Sequence, residues 1–180
     1  VSRFPSLTEV SKQVKSIVCS GGSDTANLDD MMIALMAGGM SFPQAMLALL
    51  PAAESVLDES DPLHEFYRAA RVYLGACDGP AAVVGCDGDR AVAHLDRNGL
   101  RPLWTVCSAE YVVATSELTG TIDIGPVEDQ RVMGPGEISM IDLNTGKVFF
   151  DDAVREEVGR QPFPSPDSRL VQGGEKKSSL

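Results

Sequence analysis

Two glycine-centred turn signals, Asp87-Gly88-Asp89 and Asn144-Thr145-Gly146, each stand between short apolar runs and constrain the fold of this chain more than any other feature. Asp or Asn beside Gly tolerates the positive φ of a tight hairpin, so the flanking runs are expected to pair antiparallel. The runs are Ala81 to Gly85, Arg90 to Leu95, Leu103 to Cys107, Tyr111 to Ser116, Glu137 to Leu143 and Lys147 to Phe150, with Gly134-Pro135-Gly136 as a further turn. Residues 24–75 carry a helical period instead. Leu28, Met31, Met32, Leu35 and Met36 recur at i, i+3, i+4, i+7 and i+8, and Gly38-Gly39 ends that helix. Ser41-Phe42-Pro43-Gln44 is a capping box with proline in the first turn, and Pro51 closes the second helix. Asp61-Pro62 opens a third, with Leu63, Phe66, Tyr67, Ala70 and Leu74 on one side. Helices followed by hairpins predict an α+β fold in which antiparallel sheet packs against helices. One domain is expected over residues 1–160. Residues 161–180, Pro-rich and then Gly-Gly-Glu-Lys-Lys-Ser-Ser, lose all periodicity and read as linker or disordered tail.

The formal net charge of -11 repels phosphate backbones, and no basic stripe offsets it, so nucleic acid is excluded as a partner. No apolar run approaches the roughly 18 residues that a membrane span requires, and no signal peptide is visible. Cys19, Cys77, Cys86 and Cys107 form no C-x-x-C pair and have no histidine at metal-ligand spacing. They read as free, mostly buried thiols, and no metal site is expected. That usage suits a reducing compartment, the cytoplasm or an organelle stroma such as the plastid.

Asp24, in Ser20-Gly-Gly-Ser-Asp-Thr-Ala-Asn-Leu-Asp29, has two readings. It is a good N-cap for the helix that follows. If Ser23 or Thr25 takes the cap, Asp24 is left to face a ligand, and a carboxylate on a stiff backbone suits a primary ammonium. The block Asp96-Arg-Asn-Gly-Leu-Arg-Pro102 reads first as a tight turn, because Asn98-Gly99 accepts left-handed backbone. His64 and His94 have no catalytic partner at a recognisable spacing and read as structural.

These blocks, together with Ser41-Phe-Pro-Gln-Ala-Met46, Asp78-Gly-Pro-Ala-Ala82 and Ala114-Thr-Ser-Glu117, resemble the class II glutamine amidotransferase domain of glutamate synthase, from about residue 15 to residue 158. The resemblance implies the Ntn-hydrolase αββα sandwich, of which this chain supplies about the second half. It implies that Asp24 binds the α-amino group of glutamine, with Ser23 lining the same pocket. Arg97, Asn98, Gly99 and Arg101 are implied to lie in the sheet core beside the site; by their own chemistry the two arginines suit bidentate pairing with a carboxylate such as Glu117.

The chemistry so implied is attack by the thiolate of an N-terminal cysteine on the glutamine side-chain amide, with release of ammonia and hydrolysis of a glutamyl thioester. In the complete enzyme the ammonia passes to 2-oxoglutarate, and the imine is reduced through FMN and an iron–sulfur cluster. Residue 1 here is Val, and the family's oxyanion Asn-Gly and its arginine for the substrate carboxylate are not recognised. The chain is therefore expected to be one piece of a larger polypeptide, binding glutamine and the remaining domains. It is expected to hold no cofactor of its own, to be inactive alone and to fold poorly alone, with sheet edges unpaired. A truncated homologue that binds an amino acid or a partner chain without catalysis is the alternative, as is a fragment of a phosphoribosyl or glucosamine amidotransferase.

Overall fold

The computed structural model describes residues 21–53, 59–74, 79–118 and 123–164. Three helices come first: α1 (Asp24–Ala37), α2 (Phe42–Leu49) and α3 (His64–Tyr73). Seven strands follow, β1 (Ala82–Cys86), β2 (Arg90–Leu95), β3 (Trp104–Ser108), β4 (Val112–Thr115), β5 (Val127–Val132), β6 (Ile138–Asp142) and β7 (Val148–Phe149), and then α4 (Asp151–Gly159). The helix signals act as the sequence predicts. Gln44 Oε1 accepts the Ser41 amide at 2.9 Å, half of the capping box, and Gly39 takes φ +101 past the end of α1. The third helix starts later than Pro62. The Asp61 carboxylate accepts the Leu63 amide at 2.8 Å and its carbonyl the His64 amide at 3.0 Å, so a turn precedes the helix.

Both turn signals close antiparallel hairpins, β1 with β2 and β6 with β7. Asp87 Oδ1 accepts the amides of Asp89 and Arg90 across Gly88, whose φ is +100, and Asp142 Oδ1 accepts those of Asn144 and Thr145. The strands form two sheets, ordered β1-β2-β6-β7 and β4-β3-β5, antiparallel throughout. Alternation divides each strand of the first sheet between two environments. Val92, Ile138 and Met140 face the helices and join Met31, Met46, Leu47, Leu49 and Tyr67 in the main core, while Ala93 and Leu95 meet Leu103 and Met133, which flank β3 and β5 of the second sheet. α2 is buried along its whole length, as a helix between other helices and a sheet must be. The layers run helices, sheet, sheet: the Ntn-hydrolase-like α+β arrangement, with helices on one side among the described residues.

Two elements have no counterpart among the expected ones. β5, Val-Glu-Asp-Gln-Arg-Val, has no apolar alternation, and α4 opens at Phe150 without a side-chain cap. α4 is held by tertiary contacts: Val154 and Val158 are fully buried, and Arg155 pairs with Asp61 and, at 3.8 Å, with Asp151. Beyond it Phe163 packs on Phe66, ring centroids 5.4 Å apart. Cys86 is exposed at the end of an edge strand and Cys107 is half-buried, so the expectation of mostly buried thiols fails for Cys86. Cys19 and Cys77 lie outside the described residues.

Candidate functional site

Ser23, not Asp24, caps α1. Its backbone is extended, φ -67 and ψ 159, its Oγ accepts the Ala26 amide at 3.2 Å, and its carbonyl accepts the Asn27 amide at 3.0 Å. Gly21, at φ +99, turns the chain into this start with a backbone that a side chain would strain. Asp24 is thereby the first helical residue. It is exposed, and its carboxylate sits at the positive end of the helix dipole without being needed for the cap. Of the two sequence readings, the cap therefore falls to the serine. Three residues on, and so on the neighbouring helical position, Asn27 Oδ1 is buried without a hydrogen-bond partner among the described residues.

The 96–102 block is a turn organised by a residue whose role the sequence hid. Asp96, between β2 and the turn, is only 3% exposed. Its Oδ1 accepts the Asn98 amide at 2.8 Å and its Oδ2 the Ala81 amide at 3.0 Å. Its own amide donates to the Ala81 carbonyl, and its carbonyl accepts from Gly99 and Gly136 at 3.0 and 2.9 Å. Gly99 takes φ +60, and a Cβ there would lie 2.8 Å from Pro135 Cγ, so both conformation and space demand glycine. Asn98 is exposed. Arg101 Nε donates to the Pro80 carbonyl at 3.3 Å, and Arg97 lies close enough to Arg71 of α3 for its charge to help lower that guanidinium's pKa, after burial.

Glu117 lies just past the β3–β4 pairing, whose register, with Trp104 opposite Thr115, runs on toward Pro102. It follows β4 in the second sheet, and its main chain is held by the Thr115 hydroxyl at 2.8 and 3.2 Å. Arg101 therefore holds a carbonyl where a carboxylate was expected. Among the described residues no group of three His, Cys, Asp or Glu converges as for a metal ion. No described helix is long and apolar enough to cross a membrane.

His94 is wholly buried on the helix-facing side of β2 and bridges two layers. Its Nε2 lies 2.7 Å from the Leu50 carbonyl and its Nδ1 3.0 Å from the Glu137 carbonyl. Burial pulls its pKa below the ordinary value, against the two carbonyls, which favour the charged ring. The structural reading of this histidine holds; the bond partners are main-chain atoms that no spacing rule reveals.

Comparison with known proteins places the chain. The family described as "Glutamine amidotransferases class-II" matches residues 3–165. The NADH glutamate synthase of Schizosaccharomyces pombe is 33% identical over 147 residues, which are 79% of this chain and 7% of that protein. The ferredoxin-dependent glutamate synthase of Cyanidium caldarium is 33% identical over 144 residues, 77% of this chain and 9% of that protein. The large chain of the NADPH glutamate synthase of Azospirillum brasilense is 29% identical over 154 residues, 82% and 10% respectively. The chain thus spans a tenth or less of the length of these relatives. With the helix-capped aspartate, the 96–102 turn and the two antiparallel sheets already in place, the match settles the family: the chain belongs to the class II glutamine amidotransferases, its domain being of the glutamate synthase kind.

Proposed function

We propose that this chain is the part of a glutamate synthase's glutaminase domain that grips the α-ammonium of glutamine, with Asp24 as the acceptor and Ser23 holding it in place. The observation that carries the reading is the division of labour at the start of α1: Ser23 takes the cap, and Asp24 stands exposed in the first turn, at the positive end of the helix dipole. A carboxylate carried on a fixed helix backbone binds an ammonium by charge-assisted hydrogen bonds. Ammonia released from the glutamine amide then serves glutamate formation from 2-oxoglutarate in the whole polypeptide.

The thiolate nucleophile belongs elsewhere in that polypeptide. Among the described cysteines, burial pushes the Cys107 thiol up, the reverse of what activation requires, and Cys86 sits on an edge strand beside a turn. FMN and an iron–sulfur cluster are assigned to other domains as well. Cluster ligation takes several converging thiolates, whereas Cys86 and Cys107 lie in different sheets. The cytoplasm or an organelle stroma is the proposed location. Relatives from Oryza sativa and Arabidopsis thaliana carry the words chloroplastic and chloroplastic/mitochondrial in their names.

The test is Asp24→Ala in the full-length protein, with steady-state kinetics on glutamine and, separately, on ammonia. Loss of a hydrogen bond to a charged group, worth about 1.5–3 kcal/mol, is expected to raise the glutamine KM by about 10- to 150-fold. The ammonia-dependent rate should stay unchanged. An unchanged glutamine KM refutes the assignment, and only absence of glutamine-dependent turnover in the full-length wild type would leave the non-catalytic alternative.

A further inference from the structure

His94 sets both ring nitrogens against carbonyl oxygens, Nε2 at 2.7 Å from that of Leu50 and Nδ1 at 3.0 Å from that of Glu137. A carbonyl only accepts, and a neutral imidazole carries a single N–H. The neutral ring therefore makes one of these two hydrogen bonds, and only the imidazolium makes both. The two carbonyls differ. Leu50 ends α2, so its oxygen lies at the negative end of that helix dipole, whereas the Glu137 oxygen already accepts the Leu95 amide at 3.0 Å. A single ring hydrogen is best placed on Nε2, toward the shorter contact, which leaves the Nδ1 lone pair facing Glu137. The peptide that carries the Glu137 oxygen holds its N–H on the opposite side, and that N–H, of Ile138, donates to Asp151 Oδ1 at 3.0 Å. His94 and Asp151 thus stand at the two ends of one peptide plane.

We propose that His94 is a proton-operated latch on the 134–137 turn: neutral, it holds Leu50 alone through Nε2–H; protonated, it also binds the Glu137 carbonyl through Nδ1–H, with the Asp151 carboxylate balancing the charge across the peptide. The surroundings fit a group that changes charge. β1 and β6 set Val83 and Ile138 opposite His94, and α2 has no ionisable side chain. Asp96 favours a positive ring and Arg155 of α4 opposes it. The Glu137 carboxylate turns back to the Gly134 amide at 2.8 Å. Tyr67 of α3, within reach of the same Arg155 charge, has its pKa pushed up to about 12, chiefly by burial, and stays neutral. Burial holds the His94 ring below its ordinary value, so the latch is half-open at neutral pH and closes below about pH 6.5. Closing tightens a junction that is already crowded: a Cβ on Gly136 would lie 3.1 Å from Ala52 Cβ, and one on Gly99 2.8 Å from Pro135 Cγ. The gain is local, within a fold whose total stability falls with pH because the unfolded chain takes the proton more readily.

Solid-state nitrogen NMR of the full-length protein, isotope-labelled at histidine, tests this, with the difference from His94→Gln picking out the ring. Spectra run from pH 7.5 down to the lowest pH at which circular dichroism stays native. At pH 7.5 Nε2 should carry the proton and Nδ1 should be bare; at the acid end both should be protonated. A proton on Nδ1 at pH 7.5, or a ring still neutral at the acid end, overturns the proposal. Amide exchange of the wild type needs no variant. Relative to free-chain rates, the Gly136 and Glu137 amides should slow by about tenfold over the same range while those of α3 do not slow, and no slowing at the two turn amides also overturns the latch. Asp151→Asn keeps an acceptor for Ile138 and removes the charge. It should move the His94 titration, followed by exchange of the ring Cε1 hydrogen in mass spectrometry, to lower pH by about half a unit, and an unmoved midpoint overturns the part given to Asp151.

Discussion

Replacing Asp96 by alanine removes both acceptors that organise the 96–102 turn. Two amides lose their partners, Ala81 at 3.0 Å and Asn98 at 2.8 Å. A buried donor left without an acceptor costs about 1–3 kcal/mol. Asn98 is exposed, so water replaces most of its bond, whereas Ala81 is half-buried beside a carboxylate that is 3% exposed. The sum is about 3 kcal/mol, concentrated where β1, β2 and the Pro135–Gly136 turn meet. In the full-length protein this should appear as a local opening: the amides of Asp96 and Gly136, bonded at 2.8 and 2.9 Å, exchange about 100-fold faster, while those of α2 are unchanged. Asn98→Ala, at an exposed side chain, is the control and should change exchange less than about threefold. A change below about fivefold in Asp96→Ala, or an equal effect of Asn98→Ala, would show that the turn is held by its main chain and not by this carboxylate.

Gly99→Ala must accept φ +60 and a Cβ 2.8 Å from Pro135 Cγ, so a loss of about 2–3 kcal/mol is expected, read as a lower Tm by calorimetry of the full-length protein. His94 titrates below its ordinary value in the fold, so the unfolded chain takes up the proton first as pH falls. Its contribution is complete above the unfolded value of about 6.5 and is lost as pH drops from there toward the folded value. Tm measured from pH 7.5 to 5.5 should therefore fall more steeply for wild type than for His94→Gln, and equal slopes would refute that account.

Much of the fold is legible in local chemistry. The hairpins at Gly88 and Gly146 and the Ser41–Gln44 cap are decided within a few residues, so the chain states them outright. β5 and α4 are not so decided. Glu128 to Arg131 are strand only because β3 pairs with them, and α4 helps bury Val154 and Val158 against elements far away in the chain. The site divides along the same line. An aspartate beside a serine at a helix start is visible, but which of the two caps depends on one residue of register. Asp96 reads as an ordinary turn residue until Ala81 and Gly136 are brought to it. His94 draws its partners from 44 and 43 residues away, beyond any spacing rule.

The seating of α4 also fixes where this polypeptide can be cut. A boundary placed after the last strand, at Phe150, looks natural on a map of hairpins. It would strip two valines with no exposed surface from the core, remove the guanidinium of Arg155 from Asp61, and uncover the ring of Phe66 where Phe163 lay. Proteolysis on the β7 side of α4 should therefore loosen the helical layer that carries Asp24, although the nick and the aspartate are separated by more than a hundred residues of chain.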